Sequence, residues 1–203
     1  GTIGANGSNL YIGSPEGTDA YLGFGNQIIR PVTSAGASRD NAIDLGYTGM
    51  RFRDIYLSGG AYIGGTGAAN KLDDYEEGSF TATAGNSVTL HSNYDLLKYT
   101  KIGNLVTVTG QIRVNSDNSN AGFRITNMPF VHAPNTEGEG HTFGAVRLYS
   151  WDVPASTLYV GCFMAPSTST CYFEYVQDNA AVVELPADSG AYVMLGYTYP
   201  TNQ

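Results

Sequence analysis

The chain has 203 residues, 42% of them hydrophobic, and carries a formal net charge of −8. That length holds one large domain or two small ones, and that hydrophobic share argues against global disorder. Residues beyond 126 carry seven acids against the single base Arg147, a surface that repels phosphate backbones and argues against nucleic-acid binding.

Residues 1–70 hold 15 of the 26 glycines, and the change in composition marks a boundary near residue 70. Within this region Leu10-Tyr11-Ile12-Gly13, Ala20-Tyr21-Leu22-Gly23, Ile55-Tyr56-Leu57-Ser58-Gly59 and Ala61-Tyr62-Ile63-Gly64 repeat a loose pattern. Each joins an aromatic, an aliphatic and a small residue at which the chain turns. Strands this short leave most of their apolar surface uncovered within one chain. Several chains wound about an axis would cover it, and the glycines would let the backbones approach. A homomeric fibre stem is the simplest architecture of that kind, and a partly ordered Gly-rich linker is its rival. The opening on Gly1 rather than Met reads as a fragment or processed product, and no secretory leader precedes the first repeat.

Residues 71–78 form an acidic junction that contains Asp73, Asp74, Glu76 and Glu77. These four carboxylates are expected to cap turns or to pair with Lys71 or with arginines of a neighbouring chain. A Ca²⁺ site and a catalytic pair are the competing readings.

From residue 79 the period becomes that of ordinary β-strands. In Leu105–Val114 the even positions are Val106, Val108, Gly110, Ile112 and Val114, and the odd ones include Thr107, Thr109, Gln111 and Arg113. One face is apolar and the other polar, with a bulge expected at Gly110. Further strands are predicted over Phe80–Ala84, Phe123–Thr126, Phe143–Trp151, Leu158–Met164, Cys171–Val176, Ala181–Glu184 and Ala191–Tyr199. Only Tyr94–Lys98 offers a helical turn. The fold class is therefore all-β: a Gly-rich, short-strand, multi-chain stem over 1–70, then an antiparallel β-sandwich head, jelly-roll-like, over 79–203. Cys162 and Cys171 fall on a predicted hairpin around Pro166-Ser167, where buried thiols and a disulfide both fit. No apolar run approaches the roughly 20 residues of a helical membrane span, so no membrane insertion is expected.

Between 41 and 130 stand the strings Asn41-Ala42-Ile43-Asp44-Leu45-Gly46 and Arg51-Phe52-Arg53-Asp54-Ile55-Tyr56-Leu57-Ser58-Gly59-Gly60, and then the junction from Gly64 to Gly78. Tyr99-Thr100-Lys101-Ile102-Gly103-Asn104-Leu105-Val106 and Ile125-Thr126-Asn127-Met128-Pro129-Phe130 follow in chain order. Over these segments the sequence resembles bacteriophage tail fibre proteins. The resemblance implies a homotrimer in the virion tail fibre, joined to upstream fibre or tail components and adsorbing to a bacterial surface receptor. That receptor would be a glycan or an outer-membrane protein. The chain ends at Gln203, soon after the last predicted strand, so the head is expected at the distal end of the fibre.

The chemistry visible in the sequence favours a binder over an enzyme. No nucleophile-elbow, phosphate-cradling or paired-histidine zinc motif occurs, and no metal or other cofactor is expected. Glycan binding would use aromatics, because sugar C–H faces stack on Tyr and Trp while carboxylates and amides bond the hydroxyls. The candidate receptor contacts are Tyr149, Trp151 and Asp152, with His132, Asn135, Glu137, Glu139 and His141 in and beside the 134–141 loop. For Trp151 the alternative is a place in the core or at a trimer interface. A structural trimer cap without host contact and a glycan depolymerase are the two rival functions.

Overall fold

The computed structural model describes residues 1–14, 20–117, 122–134, 141–178 and 180–202. Among them the secondary structure is sixteen β-strands and one three-residue 3-10 turn, Ala68–Asn70. The chain is all-β, and every strand pair is antiparallel. It forms two compact units, Gly1–Tyr56 and Leu57–Gln203.

The first unit is built on a meander of β1 (Thr2–Asn6), β2 (Asn9–Ser14), β3 (Ala20–Gly25) and β4 (Ile28–Val32). The repeats around Tyr11 and Tyr21 thus become strands of six residues that pair within one chain. Their pairing register separates two unlike faces. On one face Gly4 lies opposite Tyr11 and Gly13 opposite Tyr21, and each tyrosine ring lies where a Cβ on the facing glycine would stand. Glycine is required there because the ring has no other space. Tyr11 and Tyr21 meet edge to face at 6.0 Å, and Tyr21 and Val32 are buried. The opposite face carries two cross-strand rows, Ile3–Ile12–Leu22–Pro31 and Ala5–Leu10–Phe24–Ile29. Seven of these eight residues are exposed and Pro31 is half-buried.

Beyond β4 the first unit continues without a long strand, and its apolar side chains stay outside. Leu45, Tyr47, Met50, Phe52, Ile55 and Tyr56 are all exposed, Tyr56 by 90%. The only pairing within 41–56 is the tight turn in which Tyr47 and Met50 exchange backbone bonds at 3.0 and 2.8 Å.

The second unit opens on a short pair, β5 (Ala61–Tyr62) with β6 (Lys71–Leu72). Its main body is one ten-stranded sheet. Beginning at one edge come β7 (Tyr75–Thr81), β9 (Leu96–Ile102), β10 (Leu105–Ser116) and β16 (Tyr192–Pro200). Next are β12 (Thr142–Tyr149), β13 (Thr157–Met164), β14 (Cys171–Gln177) and β11 (Arg124–Ile125). The two-residue strands β8 (Thr89–Leu90) and β15 (Val183–Glu184) add to β10 and β14. The sheet curls about a core that includes Val106, Val108, Ile112 and Val114 from β10, Phe173 from β14, Val193, Tyr197 and Tyr199 from β16, and Leu97, Phe123 and Leu185. The alternation predicted in Leu105–Val114 is the pattern that fills this core.

Three details differ from the sequence reading. Tyr94–Lys98 contributes no helical turn: β9 starts at Leu96, sends Leu97 and Lys101 inward, and leaves Leu96 and Ile102 exposed. Pairing with two neighbouring strands outweighs a weak local helix preference. Pairing of β10 with β16 runs through Gly110 unbroken, and the register shift falls instead between Val114 and Ser116. Finally, β7 begins inside the acidic junction, so its glutamates belong to the sheet.

Cys162 faces Phe173 and Cys171 faces Met164, so the two cysteines are diagonal neighbours on the inner face. Both are free and buried. Burial and the adjacent Cys162 push the Cys171 thiol well above its ordinary range.

Candidate functional site

Each junction carboxylate has a partner inside its own chain. Asp73 pairs with Lys71 at 2.9 Å and Asp74 with Lys101. Glu76 accepts from the Tyr99 hydroxyl and Glu77 from that of Tyr75. Lys101 is the buried member, 2% exposed, with its ammonium 5.5 Å above the Phe130 ring. A buried lysine persists only with a counter-charge, so Asp74 anchors the start of the sheet to β9. This cluster does structural work and leaves no open acid–base pair.

The sheet's outer face, which solvent reaches, carries the candidate contact residues. In β12 the outward positions are Phe143, Ala145, Arg147 and Tyr149, all exposed, alternating with the half-buried Thr142, Gly144, Val146 and Leu148. Its two aromatic ends stand six residues apart, about 20 Å along an extended strand, and each belongs to a separate aromatic cluster.

At the Tyr149 end, Tyr149 opposes Tyr192, which opposes Arg113. The Tyr149 and Tyr192 rings are 5.9 Å apart, and Tyr94 meets Tyr192 edge to face at 5.4 Å. His91 lies 5.5 Å from Tyr94, and the Arg113 guanidinium is 5.6 Å from the Tyr192 ring centre. Tyr149 is 57% exposed and Tyr94 40%. At the Phe143 end a row crosses four strands: Phe143, Phe163, Tyr172 and Arg124. Phe163 and Tyr172 stack at 5.2 Å, and the Arg124 guanidinium lies 5.0 Å from the Tyr172 ring centre. Phe143 meets Tyr159 at 5.6 Å and covers Gly161, at which no side chain would fit beneath the ring. The adjoining row is Ala145–Gly161–Glu174–Glu184.

The predicted contact residues separate. Tyr149 is in the first cluster, and His141, exposed, lies 5.9 Å from Phe163 in the second. Asp152 is exposed on the rim of a depression of about 420 Å³ lined also by Val153, Pro154, Pro186 and Asp188. Its backbone N–H donates to Asp188 at 2.6 Å. Asn135, Glu137 and Glu139 lie outside the described residues.

Trp151 and His132 require correction: both are core residues. Trp151 packs on Phe123 at 5.3 Å and donates its indole N–H to the Pro186 carbonyl at 3.0 Å. Two positions after the exposed Tyr149 it would share that face if β12 continued. The strand ends at Tyr149, however, and Ser150 at φ 54° turns the chain inward. His132 is 1% exposed, stacks on Tyr199 at 6.1 Å and reaches the Thr142 hydroxyl at 3.0 Å through Nε2. The Thr142 hydroxyl in turn meets that of Tyr197. The hydroxyls of Tyr197 and Tyr199 are pushed above the ordinary phenol range, mainly by burial.

The sequence reading missed Tyr94, Tyr192, Phe143, Tyr159, Phe163 and Tyr172 as site residues. Their signal was available: aromatics at outward phases of strands, where water-facing sheets carry polar residues. Among the described residues no group of three or more His, Cys, Asp or Glu side chains has metal-binding geometry, and no helix is long and apolar enough to cross a membrane. No protein-family model, curated protein or solved structure matches the chain.

Proposed function

We propose that this chain is the C-terminal part of a homotrimeric bacteriophage tail fibre that attaches to the host cell by multivalent binding to a surface glycan. The carrying observation is the uncovered apolar face of β1–β4, whose two rows hold no charged or hydrogen-bonding side chain. Apolar patches of this kind are rare on monomers and mark association surfaces. Identical copies cover such a face without charge repulsion, and Leu45, Tyr47, Met50, Phe52, Ile55 and Tyr56 expose further apolar surface, interspersed there with Arg51, Arg53 and Asp54. In this reading residues 1–70 are stem, 71–78 junction and 79–203 a jelly-roll-like sandwich head. The outer aromatics of the head supply the binding. Three weak sites on one assembly act together because the first engaged site raises the effective concentration of the others.

The test is to incubate fluorescently labelled chain with a panel of bacteria and assay the medium for released oligosaccharide. Strain-selective binding without release is the expected result. No binding on a panel that contains the host would favour a structural cap, and release of sugar would identify a depolymerase.

A further inference from the structure

The Phe143 end of the outer face holds a carboxylate, Glu174, with no hydrogen-bond or ion-pair partner among the described residues. Glu174 stands on β14 directly opposite Gly161 on one side and Glu184 on the other. Gly161 is the position the Phe143 ring covers, and Tyr172, two residues before Glu174, presents its ring on the same face. Aromatic groups therefore flank the carboxylate on two sides. Glu184 is committed to Arg124 at 2.7 Å, and Arg124 is itself held against the Tyr172 ring. Among the described residues the Glu174 side chain has no hydrogen-bond or ion-pair partner. His141 is near enough to favour its charge, yet burial outweighs that influence and raises Glu174 above the ordinary carboxylate range.

Like charges directly opposite on adjacent strands destabilise a sheet, and an unpaired, partly desolvated carboxylate adds to that cost. The arrangement persists at low cost if a cation is supplied from outside. Arg124 bonds Glu184 and rests on the Tyr172 ring, and among the described residues it makes no bond to Glu174. The ring edges and faces of Phe143, Tyr159 and Tyr172 suit a ligand with an apolar side, and they also attract positive charge. A bare metal ion fits poorly, because two carboxylates, one already paired, supply too few oxygens. An acidic sugar would bring a third negative charge to the same place.

Resting on the glycan-adhesion reading above, we infer that the Phe143–Tyr172–Glu174 patch selects a glycan bearing a free amino group, which Glu174 pairs while the aromatic rings take the sugar's C–H face. The acid-rich C-terminal region favours such a ligand at longer range.

The experiment titrates the full chain with glucosamine oligomers, N-acetylglucosamine oligomers of the same length and galacturonic acid oligomers, with cell adhesion measured in parallel. A charge-assisted bond predicts that the amine form binds about ten-fold more tightly than its acetylated counterpart. Glu174→Gln should abolish that preference, so that amine and acetylated oligomers bind the variant equally. Acidification through the raised Glu174 range should weaken only the amine form, because the protonated carboxyl loses its charge. Phe143→Ala should weaken both. Equal binding of amine and acetylated oligomers, unaffected by Glu174→Gln, would overturn the amine selectivity and leave glycan adhesion standing. Adhesion to cells with no binding of any oligomer would overturn the patch as the contact site. Tighter binding of the acidic oligomer would reverse the charge assignment.

Discussion

The two units of the chain use the same β-strand and reach opposite outcomes. In Leu57–Gln203 the alternating strands close on themselves and bury Val106, Val108, Ile112, Phe173, Tyr197 and Tyr199 completely. In Gly1–Tyr56 four strands of good length bury only Tyr21 and Val32 among their described apolar residues. The difference is one of layers. A sheet is stable when each apolar face meets another layer, and the first unit has a tyrosine–glycine face packed on itself and an apolar face left exposed among the described residues. Strand propensity alone therefore does not make a domain. One unit holds its own core, and the other leaves an apolar face exposed, which on the proposed reading other copies of the chain cover.

Separating the units breaks that comparison most severely. A fragment of residues 57–203 should unfold cooperatively on heating. A fragment of 1–56, held below its assembly concentration, should show no cooperative transition by circular dichroism. Next in size, Ile12→Asp with Phe24→Asp places two charges on the uncovered face. For a lone chain, exposed substitutions of this kind alter stability by no more than about 0.5 kcal/mol, whereas a face buried between copies should lose assembly altogether on a sizing column. Within the second unit, Phe123→Ala removes a fully buried ring that packs on Trp151 and Phe173. Denaturant titration should register a loss of about 4 kcal/mol. Asp74→Ala strands the buried Lys101 ammonium without its counter-charge, and about 3 kcal/mol is expected. The smallest effect on stability belongs to Tyr149→Ala, within about 0.5 kcal/mol, yet cell binding should fall. Trp151→Ala should do the reverse, lowering the melting temperature while binding by the folded protein persists.

How much was legible depends on whether local pattern or a distant partner decides each segment. Leu105–Ser116 was readable because apolar and polar residues alternate along it on either side of Gly110, and Cys171–Gln177 and Tyr192–Pro200 because they are rich in aromatic and β-branched residues. Leu96–Ile102 was not, since Leu96-Leu97 side by side and Lys101 on the inner face blur its phase. Only the pairing of Lys101 with Asp74, 27 positions earlier, makes that phase tolerable. In the candidate site, Tyr149 was visible as an aromatic on a strand, but the turn at Ser150 that sends Trp151 inward was not. The row from Phe143 to Arg124 draws one residue from each of four strands. A row of that kind exists only once the register between strands is known, and a single sequence does not carry the register.

The central claim is that the first unit completes its core with other copies of the same chain, and the mass of the intact protein in solution tests it most directly. Light scattering on a sizing column, repeated over a dilution series, should give three times the 21.6 kDa of one chain. A stable monomer with Ile12, Leu22 and Phe24 still open to water would contradict the account.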